Sequence, residues 1–480
     1  MRSRPLASLL VLVTALGAGC SAADESDSGD EGVDAGADEE GYGEYDGPDG
    51  TGAGEDDGDG PDDDIPNDED LTDTALGPYD DLDEEGESLD SEDESGVPDP
   101  YDPYLVPDAT ARIARAAPAL TPGCTARATL GGSPAWIFFV RPDVPCTGEA
   151  GNDRHAIREL IRLIHSVPKG GRIDAHIFSI SIDDVAKALH TAQVDGVTVY
   201  LSTDGQVGDS KDVSKTVYLD ALKNKVYCHG SGNRACISTH AKAISHTKLF
   251  TFSHATAPDG TGHDNVVWFG SANQSPHSGT KLYNNTVTIY GADGLYKDLK
   301  HYLEDLYNQK RAGDYYKPGS GRGRILRNAA NVYVSPEAET DLVTHRLDDL
   351  QPASGCKVRV MQAAFRDSRL AVVNRLIKMK QGHCDVEVVA HKFEPTVKQR
   401  LTDAGIPIRR ALVHDKVFII YGKYGSSWKY RVFTGSHNMS YGSDHIFDEI
   451  FVKLAPEKGS SHPLYDAYMA HFNDAWSHPI

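Results

Sequence analysis

The stretch His246-Thr247-Lys248-Leu249-Phe250-Thr251-Phe252, read against His414-Asp415-Lys416-Val417-Phe418-Ile419-Ile420, decides the fold. Each is a His-x-Lys triplet running into an apolar strand. Each is followed by a loop and a second apolar strand, Val266-Val267-Trp268-Phe269 or Arg431-Val432-Phe433-Thr434, which ends in a Gly-Ser-x-Asn turn. Those turns are Gly270-Ser271-Ala272-Asn273 and Gly435-Ser436-His437-Asn438. Beyond them, Asn284 and Glu449 each open another apolar strand, Val287 to Ile289 or Ile450 to Val452. The match extends upstream as well. Arg172 to Ser181 and Val358 to Phe365 read as strands, Val185 to Ala192 and Ala371 to Met379 as helices, and Val197 to Leu201 and Val386 to Val389 as Val-rich strands. A repeat on this scale must be recognised before any local reading, because each copy is a folding unit. Strands alternating with helices predict an α/β layer architecture. Two copies predict two lobes, 118–325 and 326–480, meeting in a Gly/Arg-rich stretch near Gly319 to Asn331.

Two His-x-Lys triplets, each ahead of a Gly-Ser-x-Asn turn, resemble the phospholipase D superfamily, and the resemblance runs from about Pro134 to the C-terminus. The ending Tyr283-Asn284-Asn285-Thr286-Val287-Thr288 is similar to that of secreted bacterial members. The resemblance implies two α/β/α sandwich lobes related by a pseudo-twofold, with one active site at their interface. It implies double displacement through a phosphohistidine, with no cofactor and no metal. The chain departs from the family where an Asp usually stands five residues after the Lys. Ser253 and Tyr421 occupy those positions, and that bears more on substrate than on catalysis.

The residue types suit the chemistry. A phosphodiester is an anion with a poor leaving group, so cleavage needs a nucleophile, an acid for the departing oxygen and positive charge around phosphorus. His246 and His414 supply the first two, Lys248 and Lys416 the third. Asn273 and Asn438 complete the catalytic set, with Ser271, Ser436 and Asn284 as expected phosphate donors. A carboxylate bonded to an imidazole raises its pKa more than an amide does, from an ordinary value of about 6.5. Glu449 belongs to the second copy and Asn284 to the first. His414 is therefore expected to be the acid and His246 the nucleophile. His240-Ala241-Lys242 repeats the triplet without a strand directly after it, and His391-Lys392 has the wrong spacing.

Charge divides the chain. Of its 72 acidic side chains, 36 fall in residues 21–110, where there is no Lys or Arg. Residues 111–480 hold 36 acidic and 45 basic groups, a basic body suited to anionic partners. Residues 21–117 are too polar and too uniformly charged to bury a core, and read as a disordered acidic tether. Asp57-Gly58-Asp59-Gly60 and Asp62-Asp63-Asp64 lack the full loop of a calcium site. Arg2 and Arg4, the apolar run Leu6 to Leu16 and Gly17-Ala18-Gly19-Cys20 resemble a lipoprotein signal peptide over 1–20, with Cys20 acylated; cleavage near Ala22-Ala23 is the plainer alternative. Export follows either way: an outer-membrane or cell-surface lipoprotein, otherwise a periplasmic or secreted protein. Six further cysteines allow fifteen disulfide connectivities. Sequence neighbours favour Cys124–Cys146, Cys228–Cys236 and Cys356–Cys384.

The expected protein is a monomeric exported phosphodiesterase that hydrolyses or transfers phospholipid headgroups at the membrane holding its lipid anchor. Nucleic acid is the alternative substrate, and a degenerate protein that binds phosphate-bearing ligands without turnover is the third reading. Tyr302, Tyr307, Tyr315 and Tyr316 could stack bases, but suit helix packing equally well.

Overall fold

The computed structural model describes residues 123–229, 233–317, 322–455 and 461–480, all in a single compact unit of the chain. The expected leader, Cys20, the acidic tether and its Asp-rich runs lie outside the described residues. No helix among the described residues is long and apolar enough to cross a membrane.

Two eight-stranded mixed sheets carry the fold. The first is built from β1 (Thr125–Leu130), β2 (Ser133–Val140), β3 (Arg172–Ile177), β4 (Thr198–Thr203), β5 (Asn224–Tyr227), β6 (Leu249–Thr256), β7 (Gly262–Gly270) and β8 (Asn284–Ile289). Their order is β1-β2-β8-β7-β6-β3-β4-β5. The second is built from β9 (Arg324–Leu326), β10 (Ala330–Ser335), β11 (Lys357–Phe365), β12 (Asp385–Phe393), β13 (Ile408–Arg410), β14 (Lys416–Tyr424), β15 (Ser427–Gly435) and β16 (Glu449–Leu454). Its order, β9-β10-β16-β15-β14-β11-β12-β13, repeats the first strand for strand. In both, the third to fifth strands are parallel and every other pairing is antiparallel.

Parallel pairing requires a crossover, and the helices supply it. In the first lobe, α1 (His155–Ser166) precedes β3 and α2 (Asp183–Val194) joins β3 to β4. Ile157, Leu160, Ile161 and Ile164 recur at helical spacing on α1 and are buried against Trp136, Phe250 and Trp268 in one apolar cluster. In the second lobe, α4 (Leu342–Asp348), α5 (Leu370–Gln381) and α6 (Pro395–Asp403) cover the matching face. There Val372, Val373, Leu376 and Met379 of α5 meet Val358, Val360 and Val388. Gly382 follows the last turn of α5, and Pro395 occupies the first turn of α6.

A third cluster joins the lobes. Ile137, Phe139, Leu249 and Val287 of the first sheet share it with Val332, Met361, Val417 and Val452 of the second. Two helices enter the same cluster: α3 (Asp293–Tyr307) through Leu299, Tyr302 and Leu306, and α7 (Pro463–Ser477) through Tyr468, Phe472 and Ala475. Buried apolar surface contributes roughly 25 cal/mol per Å², so this shared core fixes the lobes as one body. Tyr302 and Tyr315 are buried and Tyr307 packs edge-on against Tyr200, so these three serve packing.

The three neighbouring cysteine pairs are the disulfides of the structure: Cys124–Cys146, Cys228–Cys236 and Cys356–Cys384.

Candidate active site

Each lobe brings its motifs to one sheet edge by simple antiparallel geometry. His246 and Lys248 precede β6, Gly270 ends β7 and Asn284 begins β8, so three neighbouring strands deliver all of them to the same end. His414 and Lys416, Gly435 and Glu449 do the same through β14, β15 and β16.

The two edges then meet reciprocally. Ser245 bridges Asp448 across the lobes, and Tyr283 bridges Val413. These are equivalent positions, one residue before each histidine and one before each orienting residue. The backbone N–H of His246 donates to the Asp448 carbonyl at 3.0 Å, and that of His414 to the Tyr283 carbonyl at 2.9 Å. A contact that repeats with partners exchanged is the signature of a two-fold arrangement.

The exchange reaches the side chains. Glu449 Oε1 lies 2.9 Å from His246 Nδ1, and Asn284 Oδ1 lies 3.0 Å from His414 Nδ1. Each orienting residue therefore serves the histidine of the other copy. This corrects the expectation that Glu449 would orient His414. A residue opening β8 or β16 faces across the lobe boundary, where the opposite histidine stands. It corrects the expectation for Asn284 too: its amide nitrogen donates to the Ser278 and Leu282 carbonyls, so all of it is committed to holding His414.

These partners set the tautomers. An ionised carboxylate only accepts, so His246 carries its proton on Nδ1 and presents a lone pair at Nε2. Asn284 spends its N–H groups elsewhere, so its oxygen likewise faces an Nδ1–H on His414. Burial pushes His246 down to about 4, with Glu449 opposing and Lys248 and Lys416 adding to the fall. Burial also pushes His414 well below its ordinary value, helped by Lys416, Lys248 and His246. Glu449 would rise through burial, but the His246 bond and the charge of Lys248 bring it below the usual carboxylate value.

The lysines are buried, each donating to the carbonyl of its own histidine: Lys248 Nζ to His246 O at 2.7 Å and Lys416 Nζ to His414 O at 2.6 Å. Phe178 packs edge-on against His246 and lies under the Lys248 ammonium, 4.7 Å from its centroid. The site thus sets two buried lysines beside two imidazoles.

The Gly-Ser-x-Asn turns have a structural logic. A Cβ on Gly270 would stand 2.3 Å from the Asn285 carbonyl oxygen, and one on Gly435 2.3 Å from that of Ile450. Only glycine lets the neighbouring strand approach so closely. The serines staple the same strands. Ser271 N–H donates to Asn285 O and Ser271 Oγ accepts from Asn285 N–H, and Ser436 makes the same two bonds with Ile450. Ser271 Oγ also donates to Asn284 Oδ1 at 2.9 Å. Ser271 and Ser436 were expected to donate to phosphate; their hydroxyls are fully buried and engaged by the strand instead. Asn273 donates to Ser278 Oγ, while the Oδ1 atoms of Asn273 and Asn438 are buried with no protein partner.

Sequence reasoning missed a supporting layer. Asp415, the middle residue of the second triplet, accepts from Asn285 Nδ2 at 2.5 Å and pairs with His471 Nε2 at 2.7 Å. Thr247, its counterpart, meets the Tyr302 hydroxyl at 3.0 Å. Both partners come from the last helix of the lobe, α3 or α7, so each helix reaches back to its own triplet. The motif shows the middle position as variable and hides this role. The decoy His240 donates to or accepts from nothing in the site; its Nε2 meets the Gly313 carbonyl.

No family model matches the chain, and no curated protein does. Among solved structures, the chain is similar to the phospholipase D family member Nuc of Salmonella typhimurium, at 21% identity over 32% of this chain and 96% of that one, with a TM-score of 0.25. It is similar to phosphatidylserine synthase of Haemophilus influenzae, at 10% identity over 72% of this chain and 87% of that one, with a TM-score of 0.46. It is also similar to yeast tyrosyl-DNA phosphodiesterase, at 11% identity over 66% and 90% of the two chains, with a TM-score of 0.41.

Proposed function

We propose that the chain is a phosphodiesterase of the phospholipase D type, acting by double displacement at the lobe interface. The observation that carries this reading is the exchanged pairing: two imidazoles, each with Nδ1 held by the other copy and Nε2 available, beside two buried lysines.

His246 is the nucleophile. His414 takes up a proton on Nε2 as the anionic substrate binds between the lysines; the Nε2 lone pair of His246 then attacks phosphorus, the bond to the leaving oxygen breaks, and His414 Nε2 gives that oxygen its proton. Phosphorylated imidazole is cationic, and the Glu449 carboxylate on Nδ1 stabilises that charge. The carboxylate thus supports the nucleophile, not the acid. His414 then takes a proton from water or an alcohol, which attacks phosphorus and returns His246 to its starting state. Lys248 and Lys416 offset charge on the phosphoryl oxygens in both steps.

His246 is fully buried and His414 only partly so, which places the leaving group on the side of His414. Phospholipid is the first substrate reading, consistent with export and a lipid anchor at Cys20. One observation favours nucleic acid as the second. His391, near enough to His414 to oppose its protonation, is itself held down by burial, Arg410, His277 and Lys392. A basic rim on the leaving-group side suits a substrate carrying further phosphates.

The test is hydrolysis by the purified chain and its His246→Ala variant, with chelator present, on phosphatidylcholine/phosphatidylglycerol vesicles and on single- and double-stranded DNA. Headgroup release that disappears in the variant supports the first reading. DNA cleavage that disappears, with lipid untouched, replaces it with the second. Activity retained in the variant overturns the site.

A further inference from the structure

The two lobes differ most between their fifth and sixth strands. In the second lobe residues 411–415 connect β13 to β14, whereas in the first residues 228–248 connect β5 to β6. Cys228–Cys236 ties the longer connection, whose Ala235 and Ala243 pack against Ile446 and Phe447 of the second lobe. Its polar anchor is Asp448. One carboxylate oxygen accepts from Cys236 N at 2.8 Å, Ile237 N at 3.0 Å and Ser245 Oγ at 2.7 Å, and the other from Ser238 N at 2.8 Å. Asp448 is fully buried, and a buried carboxylate is stable there only because four donors converge on it.

Its backbone is tied to the same connection further along. Asp448 N donates to Ile244 O, and Asp448 O accepts from His246 N and from Thr247 Oγ1 at 3.0 Å. Ser245 is gripped from both lobes, its N–H by Asp204 at 2.9 Å and its hydroxyl by Asp448. The next residue along is Glu449, on His246 Nδ1. At the equivalent place in the first lobe stands Tyr283, which accompanies no such loop.

We propose that Asp448 is a positioning residue for the phosphorylation of His246. Its carboxylate locks the disulfide-closed loop so that His246 and Glu449, on either side of the lobe boundary, are aimed together. The geometry couples them directly: any shift of residues 236–245 moves Ser245 and Asp448, and with them both the attacking ring and its carboxylate. Displacements of about 1 Å can cost 10²-fold in rate. Asparagine cannot substitute, because its amide brings two N–H groups against a nest of donors.

This inference rests on His246 being the nucleophile, and the test separates the two. Wild type, Asp448→Asn, Ser245→Ala and His246→Ala are compared in single-turnover reactions on 4-nitrophenyl and phenyl esters of one phosphodiester. Enzyme concentrations are corrected for the folded fraction. A residue acting through the nucleophile slows both esters alike, whereas one acting through the acid spares the nitrophenyl ester. The expected result is about a 10²-fold loss in Asp448→Asn, equal for both esters, with KM little changed. Ser245→Ala removes one of the four donors and leaves the carboxylate in place, so it reports even if Asp448→Asn does not fold. Its expected loss is about tenfold, again equal for both esters. Rates within threefold of wild type in both variants, or a loss confined to the phenyl ester, would overturn the proposal while leaving His246 in its role. Activity surviving in His246→Ala would instead remove the reading beneath it.

Discussion

Glu449 Oε1 stands 2.9 Å from His246 Nδ1, although 203 residues separate them. The carboxylate comes from one copy of the repeat and the imidazole from the other. Ser443 Oγ donates to the same carboxylate oxygen at 2.9 Å, so the bond has its own support. The Asn284–His414 bond, over 130 residues, is its counterpart with an amide in place of the acid. This substitution gives the two histidines different partners on Nδ1, a carboxylate for one and an amide for the other.

Glu449→Gln tests that difference. The amide keeps the size but not the charge that, on the proposed mechanism, stabilises phosphorylated imidazole. Formation of phosphohistidine is expected to slow about 10²- to 10³-fold, with thermal stability changed little. A rapid-quench time course reads the rate, and a loss below fivefold would show that the carboxylate is dispensable.

His414→Ala should give a rate that depends on leaving group. With alcohol leaving groups the loss is expected at about 10²- to 10⁴-fold, the usual contribution of a general acid. With 4-nitrophenolate, which departs unassisted, the first step should be nearly normal and the second slow, so that the intermediate accumulates. A burst of nitrophenol equal to the enzyme concentration is the measurement.

Substrate binding should take up protons. His414 lies well below its ordinary value through burial and nearby positive charge, so it is neutral in the free protein at pH 7.5. An anionic phosphodiester between Lys248 and Lys416 offsets that charge and raises the histidine. Bound protein then holds more protons than free protein, and affinity falls as pH rises. Calorimetry of a non-hydrolysable analogue in buffers of different ionisation enthalpy should give an uptake between zero and one proton. Release of protons would contradict the assigned charge state.

The Cys356–Cys384 bond joins the starts of β11 and β12, at the end of the sheet away from the histidines. It closes a loop with a sequence separation of 28. Replacing both cysteines by alanine should lower stability by about 3 to 4 kcal/mol, read from the denaturant midpoint, with turnover per folded molecule unchanged.

The repeat was legible because its parts are local. His-x-Lys, the strand after it and the Gly-Ser-x-Asn turn lie within a few dozen residues, and alternating apolar patterns marked most strands and helices to within a few positions. The strand expected from Arg172 to Ser181 stops at Ile177, where the chain bends so that Ile180 bridges Gln274 instead. What could not be read was anything depending on how the copies face each other. Counting along the sequence placed Glu449 with His414 because both belong to the second copy; only the exchanged contacts of the two-fold reveal otherwise. Asp415, His471 and Asp448 were hidden for the same reason, since their partners come from distant segments and no motif fixes their identity. Ser271 and Ser436 were visible as motif residues, but the motif does not say whether a hydroxyl faces a ligand or a strand.

The most direct test is to trap the covalent intermediate. The His414→Ala variant would be mixed with a radiolabelled 4-nitrophenyl phosphodiester, quenched in alkali to preserve the phosphoramidate, digested and mapped. The account predicts label on one peptide, containing His246, and none when His246 is also replaced. Label on another residue, or turnover with no covalent label at any time, would contradict it.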